Sequence, residues 1–459
     1  MAFPLTGAPD TGDTAWMLAS SALVLLMTPG LAFFYGGMVR SKNVLNMIMM
    51  SISAMGLVGV LWSLYGYSAA FGDNKFGVIG DPAQFFGLKG LIGGNSVAEV
   101  KDAAGTVTTE AVNIPLAGTI PATVFVAFQL MFAIITVALI SGAVADRLKF
   151  GSWLLFAGIW ATVVYFPVAH WVFDFDVKDA DGNVVHEGGW IANKLLAVDF
   201  AGGTAVHINA GAAGLALVLV LGKRKGWPTT PFRPHNLPFV MLGAGLLWFG
   251  WFGFNAGSAV TSGGLAGSTF ITTTLATCAA MLAWLLVEKF RDGKPTSLGA
   301  ASGVVAGLVA ITPSCSSVNV VGALAIGFVA GAICALAVGL KFKFGFDDSL
   351  DVVGVHLVGG IIGTLMVGLV AAPEAGAAKT GLFYGGGFDQ LWRQAVGAGA
   401  VLAFSFIATL IIAYIVKFTI GLRASEEAES VGMDESEHAE TAYDFAAVGG
   451  TARTAVKEA

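Results

Sequence analysis

Long apolar runs are the feature that most constrains this chain. About 20 apolar residues in succession recur eleven times, and a helix of this length spans the hydrocarbon core of a bilayer. Only 12% of the residues are charged, against about 25% in soluble domains. The sequence therefore predicts an all-α integral membrane protein with eleven transmembrane helices, at residues 14–38, 44–71, 119–142, 150–173, 199–222, 236–258, 267–287, 298–313, 319–340, 350–373 and 393–420.

The basic residues are unevenly distributed between the two ends of these runs. Lys and Arg concentrate after the odd-numbered runs, as at Arg147 and Lys223, which puts 17 of the 24 on one side and seven (24 minus 17) on the other. Loops rich in Lys and Arg stay on the cytoplasmic side. We therefore predict a multi-pass protein of the plasma (inner) membrane, with the N-terminus outside and the C-terminus in the cytoplasm.

Two histidines lie inside apolar runs, each downstream of an aspartate. Asp199 precedes His207 in the fifth run, and Asp351 precedes His356 in the tenth. Ionisable groups at membrane depth cost about 2.5–3.5 kcal/mol each, so they persist mainly along a pathway or in pairs. Five runs per half is an odd number, which predicts a pseudo-two-fold inverted 5+5 repeat plus a final long helix, with a substrate site between the halves.

The same patterns divide the chain into six segments. From Ala424 onward there are nine acidic and two basic residues, which leaves about +1 for the rest (−6 minus −7). A charged segment of this kind is typical of a water-exposed tail. The predicted segments are an extracellular N-terminal segment at 1–13, a first five-helix repeat at 14–222, a cytoplasmic linker at 223–235, a second repeat at 236–373, an outer loop and eleventh helix at 374–423, and an acidic cytoplasmic tail at 424–459.

The histidines and the aspartates each allow two interpretations. A lone His in an apolar helix is often a core residue, but His207 and His356 in corresponding helices favour a neutral pair that shares a proton between ring nitrogens. Asp199 opens the fifth helix, so it is either an N-cap, worth about 1 kcal/mol, or a charge that helps or ligates an approaching cation. Asp351 has the same two interpretations.

Aromatic side chains recur one helical turn apart in two runs. Phe128 and Phe132 share a helix face, and Trp251, Phe254 and Ser258 follow the same spacing. Such a stripe is usually core. Near helix ends it also suits an entrance for a small cation, because ring faces attract desolvated cations by about 0.5–2 kcal/mol.

Other functional classes lack their sequence signals. No phosphate-binding glycine loop precedes a Lys-Ser/Thr pair, and no Cys and His residues have metal-ligand spacing. No basic patch with interleaved aromatics argues for nucleic acid. We therefore predict no enzyme activity, catalytic residue, metal or cofactor.

At these residues the chain resembles bacterial ammonium transporters of the Amt/Mep/Rh family. The matching motifs are long and run from about residue 14 to 445. They are Asp199-Phe-Ala-Gly-Gly-Thr-Ala-Val-His207-Ile-Asn, Gly250-Trp-Phe-Gly-Phe-Asn-Ala-Gly-Ser258, Asp351-Val-Val-Gly-Val-His356, Phe128-Gln-Leu-Met-Phe132-Ala and tail residues between Gly421 and Tyr443.

The resemblance implies a homotrimer in the bilayer, with one hydrophobic pore per subunit and ammonium or ammonia as substrate. It also implies a PII-type nitrogen-regulatory protein as a partner of the tail. By analogy Phe132 and Phe254 form the outer gate, and His207 and His356 are the twin histidines of the pore. The implied substrate-binding residues are Phe128, Phe173, Ser258, Trp251 and Asp199.

The chain departs from the family pattern in two places. Phe173 stands where the family usually has a tryptophan, and a longer stretch rich in Asp, Gly and Val then runs to Trp190, so either ring is a candidate for the wall of the outer site. In the tail, Ala439 stands where a glycine is common.

The mechanism that these residues predict is deprotonation of ammonium near the gate and passage of neutral ammonia through the pore, with net charge transfer. Two alternatives remain open at this point. A neutral gas channel would use the same pore without current, and an ammonium sensor would signal through the tail.

Overall fold

The computed structural model describes residues 4–94, 99–109 and 113–443 and is mostly helical. The helices along the bundle are α1 Thr11–Met38, α2 Val44–Phe71, α3 Ala122–Val144, α4 Phe150–Phe173, α5 Gly203–Leu221, α6 Leu237–Gly257, α7 Gly264–Arg291, α8 Ser297–Ile311, α9 Val320–Phe344, α10 Val353–Val370 and α11 Asp389–Thr419. Two short tail helices follow, α12 Glu426–Val431 and α13 Met433–His438.

Each predicted apolar run overlaps one of the helices α1–α11, and several of the helices extend a few residues beyond the run. Within the described part of the chain, ten of them are long and apolar enough to cross a membrane, and α8 is a shorter apolar helix. The predicted helical class is thus confirmed, while the count of eleven crossings stays a prediction. The predicted segments 1–13 and 424–459 also reach outside the described residues, at 1–3 and 444–459.

Short polar side chains fix where several helices begin. In each case a side-chain oxygen of the capping residue accepts the backbone N–H three residues later, which satisfies one of the unpaired donors of the first turn. The capping residues are Asp10 for α1, Asn236 for α6, Thr296 for α8 and Asn319 for α9.

Four small antiparallel sheets lie beyond the helices. The strands are β1 Leu5–Gly7, β2 Asn74–Lys75, β3 Ile79–Gly80, β4 Val100–Lys101, β5 Val107–Thr109, β6 Ile114–Ala117, β7 Ile120–Pro121, β8 Val177–Lys178 and β9 Val184–His186. They pair as β1-β6-β7, β2-β3, β4-β5 and β8-β9, with Leu5 opposite Leu116 and Val177 opposite His186. They precede α1 or α3, or follow α2 or α4. We call this end the hairpin end.

The tail contacts the other end of the bundle, which we call the tail end. The Asn43 amide oxygen accepts from Met433 N at 2.8 Å, and the Asp434 carboxylate accepts from Asn46 N at 2.8 Å. Phe150 N donates to Glu437 at 2.9 Å. The tail is therefore held against the first turns of α2 and α4.

Helices α1 and α6 cross in an antiparallel sense at very short range. Gly257 and Gly253 lie against Ser20, whereas Gly243 lies against Phe34, near the opposite end of α1. A Cβ on Gly243 would come 2.7 Å from the Gly30 carbonyl oxygen and closer still to the Phe34 backbone. Only glycine allows the two backbones to approach this closely.

This contact predicts different effects for two glycines on the same helix. We expect Gly243→Ala to lower the free energy of unfolding by about 1–3 kcal/mol, because the new methyl group would clash with backbone atoms and not with a flexible side chain. The melting temperature of the purified protein should fall accordingly. At Gly245 a methyl group would have no neighbour within 4 Å, so Gly245→Ala is the matched control and should be neutral or slightly stabilising. Equal melting temperatures for the two variants would contradict this account.

Candidate functional site

The two histidines of the apolar runs face each other between α5 and α10. His207 Nδ1 and His356 Nδ1 are 3.3 Å apart, and the ring centroids are 5.4 Å apart with an interplanar angle of 21°. Both side chains are buried. A hydrogen bond between two Nδ1 atoms needs one protonated and one unprotonated nitrogen. The geometry therefore fits the neutral pair that shares one proton.

Glycines bring these two helices together. Gly211 and Gly360 each follow a histidine by four residues. A Cβ on Gly211 would lie 2.6–2.7 Å from the Cβ and Cα of Leu357, and one on Gly360 would lie 3.0 Å from the Gly203 carbonyl oxygen. The close crossing of α5 and α10 explains why the imidazoles meet.

Both histidines also lie in a widened first turn. The π-helical turns are Gly203–Ile208 in α5 and Val353–Leu357 in α10. Such turns are rare in proteins, and those that occur often lie at functional sites. One ring nitrogen, Nε2 of His207, is buried and has no hydrogen-bond partner among the described residues.

A column of rings continues from the histidine pair. The indole of Trp251 stacks on His207 at 5.5 Å and 17°, and its Nε1 donates to the Thr312 hydroxyl at 2.9 Å. Phe254 follows at 5.3 Å from Trp251. Thr312, on which the indole depends for its orientation, was missed in the sequence, where no motif connects it with Trp251.

Two phenylalanines close the column toward the hairpin end. The rings of Phe132 and Phe254 stack at 4.2 Å and 26°. Phe128 and Phe173 each meet Phe132 edge-on, at 4.9 and 6.1 Å. The two candidates for the wall are thereby distinguished in position: Phe173 contacts Phe132, whereas Trp190 packs beside Trp171 at 5.9 Å.

Beside Phe173 lies a cavity of about 240 Å³, which we call the vestibule. Most of its lining residues are aromatic or aliphatic. They include Tyr67 and Phe71 of α2, Phe125 of α3, Phe175 and Val177 of the β8-β9 hairpin, and Val260 after α6.

Ser258 follows the last turn of α6 and is half-buried. Its hydroxyl donates to the Phe254 carbonyl oxygen at 2.8 Å. Because the proton is used inside the helix, the lone pairs of the Ser258 oxygen remain as acceptors for an N–H donor.

Asp199 caps the turn that carries His207. Its Oδ1 accepts from Gly202 N at 2.8 Å and Gly203 N at 2.6 Å, and its Oδ2 accepts from Thr204 N at 2.8 Å and Ala205 N at 3.1 Å. The Thr204 hydroxyl also donates to Oδ2. These donors occupy both oxygens, which favours the capping interpretation over direct ligation of a cation.

The capping role predicted for Asp351 belongs instead to Asp348. The Asp348 carboxylate accepts from Val352 N at 3.1 Å and Val353 N at 2.7 Å. Asp351 has a left-handed backbone (φ 63°) and its carboxylate pairs with Lys341 Nζ at 2.6 Å. The capping interpretation of Asp351 was therefore wrong, while its interpretation as a charge that helps a cation stays a prediction. A usable signal existed, because Asp199 and Asp348 each precede a histidine by eight residues.

Comparison with known proteins identifies the family. The sequence profile of the Ammonium Transporter Family matches residues 15–443. The chain belongs to the ammonium transporter family. This makes it a multi-pass membrane protein of a transporter family, not of an enzyme family, with ammonium or ammonia as the transported species.

Individual relatives agree with this assignment. An ammonium transporter of Mycobacterium tuberculosis (strain H37Rv) is 74% identical over 455 residues, which cover 98% of this chain and 94% of the relative. An ammonium transporter of Aquifex aeolicus is 47% identical, covering 95% and 94%. Among solved structures, Candida albicans Mep2 has a TM-score of 0.78 at 33% identity, covering 91% and 87%, and a protein described as Sensor Amt Protein has 0.80 at 27%, covering 93% and 98%.

The capping geometry predicts unequal roles for the two aspartates before α10. Asp348→Asn replaces one acceptor oxygen with an N–H donor that faces a backbone N–H, so we expect a loss of about 1–3 kcal/mol in stability. Asp351→Asn removes the same charge but only a partly exposed ion pair, worth about 0–1 kcal/mol. Thermal unfolding of the two variants in detergent checks this. A larger loss for Asp351→Asn would support a capping role for Asp351 instead.

Proposed function

We propose that this chain recruits ammonium at the hairpin end, removes a proton near the phenylalanine gate and conducts ammonia through the ring column, with net charge transfer. The observation that carries the proposal is the continuous series of rings from Phe132 and Phe254 through Trp251 to His207 and His356. It offers a path lined by apolar surface, with the hydrogen-bonding nitrogens of the two histidines at the end away from the gate.

The outer site is suited to a small cation that donates hydrogen bonds. The rings of Phe128 and Phe173 supply electron-rich faces, and the free lone pairs of Ser258 accept an N–H bond. Asp199 acts from a distance: its charge is held by backbone donors, so it favours a cation without ligating it. Trp251 then lines the way between the gate and the histidines.

The gate explains selectivity through the cost of desolvation. A stacked pair of buried phenyl rings offers no replacement for the hydration shell of an ion. Ammonium avoids this cost by giving up a proton and continuing as ammonia. Potassium has no proton to lose and no N–H to donate, so the same constriction rejects it.

The histidine pair supplies the route for the proton. The proton released from ammonium passes to the imidazole pair, moves through the Nδ1–Nδ1 hydrogen bond and recombines with ammonia on the far side. His207 Nε2, which has no described partner, is the nitrogen available to the permeant species. Each ammonium consumed on one side is thus restored on the other, with one charge moved.

We further infer the inverted 5+5 repeat, with eleven crossing helices and the six segments given above. Two backbone hydrogen bonds support it. Phe200 N, before α5, donates to Pro313 O after α8 at 3.2 Å, and Leu350 N, before α10, donates to Gly142 O of α3 at 3.1 Å. Each half thus reaches the end of the third helix of the other half. The N-terminus outside and the cytoplasmic tail follow from the distribution of basic residues.

The assembly that we propose is a homotrimer in the plasma membrane with a PII-type partner at the tail end. Family resemblance is its main support. Large apolar side chains on the outer faces of α7 and α11, such as Leu282 and Ile407, are exposed in the single chain, as contacts with lipid or with a neighbouring subunit require.

Sensing through the tail is a second candidate function. Its specific support is the set of hydrogen bonds that hold the tail against α2 and α4. A solved relative carries the description Sensor Amt Protein. A conformational change in the bundle would reach the tail through these contacts.

Currents on proteoliposomes test the transport mechanism. An ammonium pulse should evoke a saturable inward current that potassium does not, because only ammonium can release a proton at the gate. We expect His207→Ala to reduce this selectivity, with a measurable potassium current. His235→Ala, at the tail end and outside the ring column, is the control and should keep the selectivity.

Three outcomes would change the proposal. Complete exclusion of potassium by His207→Ala would remove the selectivity role of that residue. Internal alkalinisation without current in the intact protein would indicate a neutral gas channel. The absence of both signals would favour the sensor.

Removal of the tail separates transport from sensing. A chain ending at Ala424 should transport ammonium while losing any ammonium-dependent signal, because the ring column lies entirely before that residue. Transport and partner binding are measured on the same preparation. Loss of both would mean that the tail is part of the transport machinery.

A further inference from the structure

The β8-β9 hairpin, residues 174–187, forms part of the vestibule wall. It begins directly after Phe173, the last residue of α4. Phe175 and Val177 from the hairpin line the vestibule together with Phe125 of α3 and Val260 after α6. The position of this part of the wall therefore depends on the position of the hairpin.

One buried histidine ties this hairpin to its surroundings. His186 is 2% exposed, and its Nε2 lies 2.9 and 3.0 Å from the two carboxylate oxygens of Asp174. Its Nδ1 lies 3.2 Å from a carboxylate oxygen of Asp73, in the loop after α2. Ionised carboxylates only accept hydrogen bonds. Both ring nitrogens must therefore donate, which requires the charged imidazolium.

The groups around His186 come from several elements. From α4, His170 Nδ1 lies 3.1 Å from Asp174, and from α2 Tyr67 lines the vestibule beside it. The other charged or polar neighbours are Asn74 beside Asp73, Asp176 and Glu187 of the hairpin, and Lys194, which pairs with Glu187 at 2.9 Å. Among the described residues, no group of three or more His, Cys, Asp or Glu side chains is arranged to hold a metal ion.

The direction of titration agrees with the geometry. Burial lowers the pKa of His186, but the hydrogen bonds and charges of Asp174 and Asp73 outweigh burial, so the pKa lies above its ordinary value of 6.5. The stabilisation from the charged bridge is complete below 6.5 and is lost as pH rises through the raised pKa.

Asp174 connects the His186 bridge to Phe173, which precedes it in the chain. Its carbonyl oxygen accepts from Gly189 N at 2.9 Å and from the Asn193 amide at 2.9 Å, so both its backbone and its side chain are fixed. The preceding residue, Phe173, contacts Phe132 of the gate. The orientation of Phe173 therefore depends on the contacts of its neighbour.

We propose that His186 is a positioning residue for the outer ammonium site: as an imidazolium between Asp174 and Asp73, it holds the hairpin and Phe173 as the vestibule wall. This inference rests on the proposed function, since it assigns Phe173 to that site. When His186 loses its proton, one of the two hydrogen bonds breaks and the wall loosens. The effect falls on recruitment, because the hairpin lines the vestibule and Phe173 belongs to the outer site.

The test is the KM for ammonium-evoked current as a function of pH, over a range in which ammonium stays protonated. The full-length protein should show KM rising by at least about threefold above the raised pKa of His186, with an unchanged maximal current. His186→Gln should have the high KM at every pH. Asp73→Asn removes one carboxylate from a half-exposed position, so the step should remain but move to lower pH.

Glu187→Gln is the matched control, because it removes the neighbouring exposed charge and should keep the pH step of the intact protein. An unchanged step in His186→Gln would overturn the proposal. Hydrogen exchange of residues 174–190, expressed as protection relative to the intrinsic exchange rate at each pH, gives a readout independent of transport. This protection should fall above the same pH in the intact protein and should be low at all pH values in His186→Gln. If the intact protein carries no ammonium current, the proposed function fails; if the protection is the same at every pH and in the variant, the bridge fails.

Discussion

A bilayer offers no hydrogen-bond partners, and this constraint organises the interior of the molecule. Every backbone N–H and C=O group at depth must therefore find its hydrogen-bond partner within the protein. The first turns of α5 and α10 meet this requirement with carboxylates, since Asp199 and Asp348 take up backbone N–H groups that would otherwise be unpaired. The two imidazoles satisfy each other through Nδ1, and the indole of Trp251 is satisfied by Thr312. Several buried side-chain atoms have no hydrogen-bond partner among the described residues, and His207 Nε2 is the one that lies in the ring column.

The tail end meets the same constraint with charges. Arg147, after α3, is buried and donates to Gly222 O at the end of α5 at 2.8 Å and to the Ser349 hydroxyl before α10 at 2.7 Å. Arg224 pairs with Asp347 at 2.8 Å and with Asp146 at 3.2 Å. Replacing one charged residue of such a network with a neutral one leaves the charge of its partner buried and uncompensated, which is strongly destabilising. These contacts therefore fix the ends of α3 and α5 against the segment before α10.

The sequence predicted what depends on composition and missed what depends on precise geometry. The apolar runs located all of α1–α11, because a membrane helix must be apolar over its whole length. The pair of histidines was predicted from the cost of burying them. Asp348 was missed because Asp351 is nearer to His356, although Asp348 shares with Asp199 the spacing of eight residues before a histidine. The bridge of His186 was missed because Asp73 and Asp174 are about 100 residues apart in the chain.

The departure from the family pattern at Ala439, in the tail, has a physical consequence that is visible in the backbone conformation. Ala439, where the family resemblance predicts glycine, has φ 54° and ends α13 in the left-handed region. That conformation costs an alanine about 1–2 kcal/mol, which glycine avoids. The next residue, Glu440, donates its N–H to Asp434 O at 3.3 Å, so the strained residue lies within the docked part of the tail.

The two ends of the bundle are stabilised in different ways. At the tail end, hydrogen bonds hold the tail in place although it contains a strained alanine. At the hairpin end, in our proposal, a titratable histidine supports an aromatic wall. The ring column between them has neither strain nor exposed charge. We therefore expect changes in pH or in the tail to act at the two ends of the column and to leave the rings between Phe132 and His356 in place.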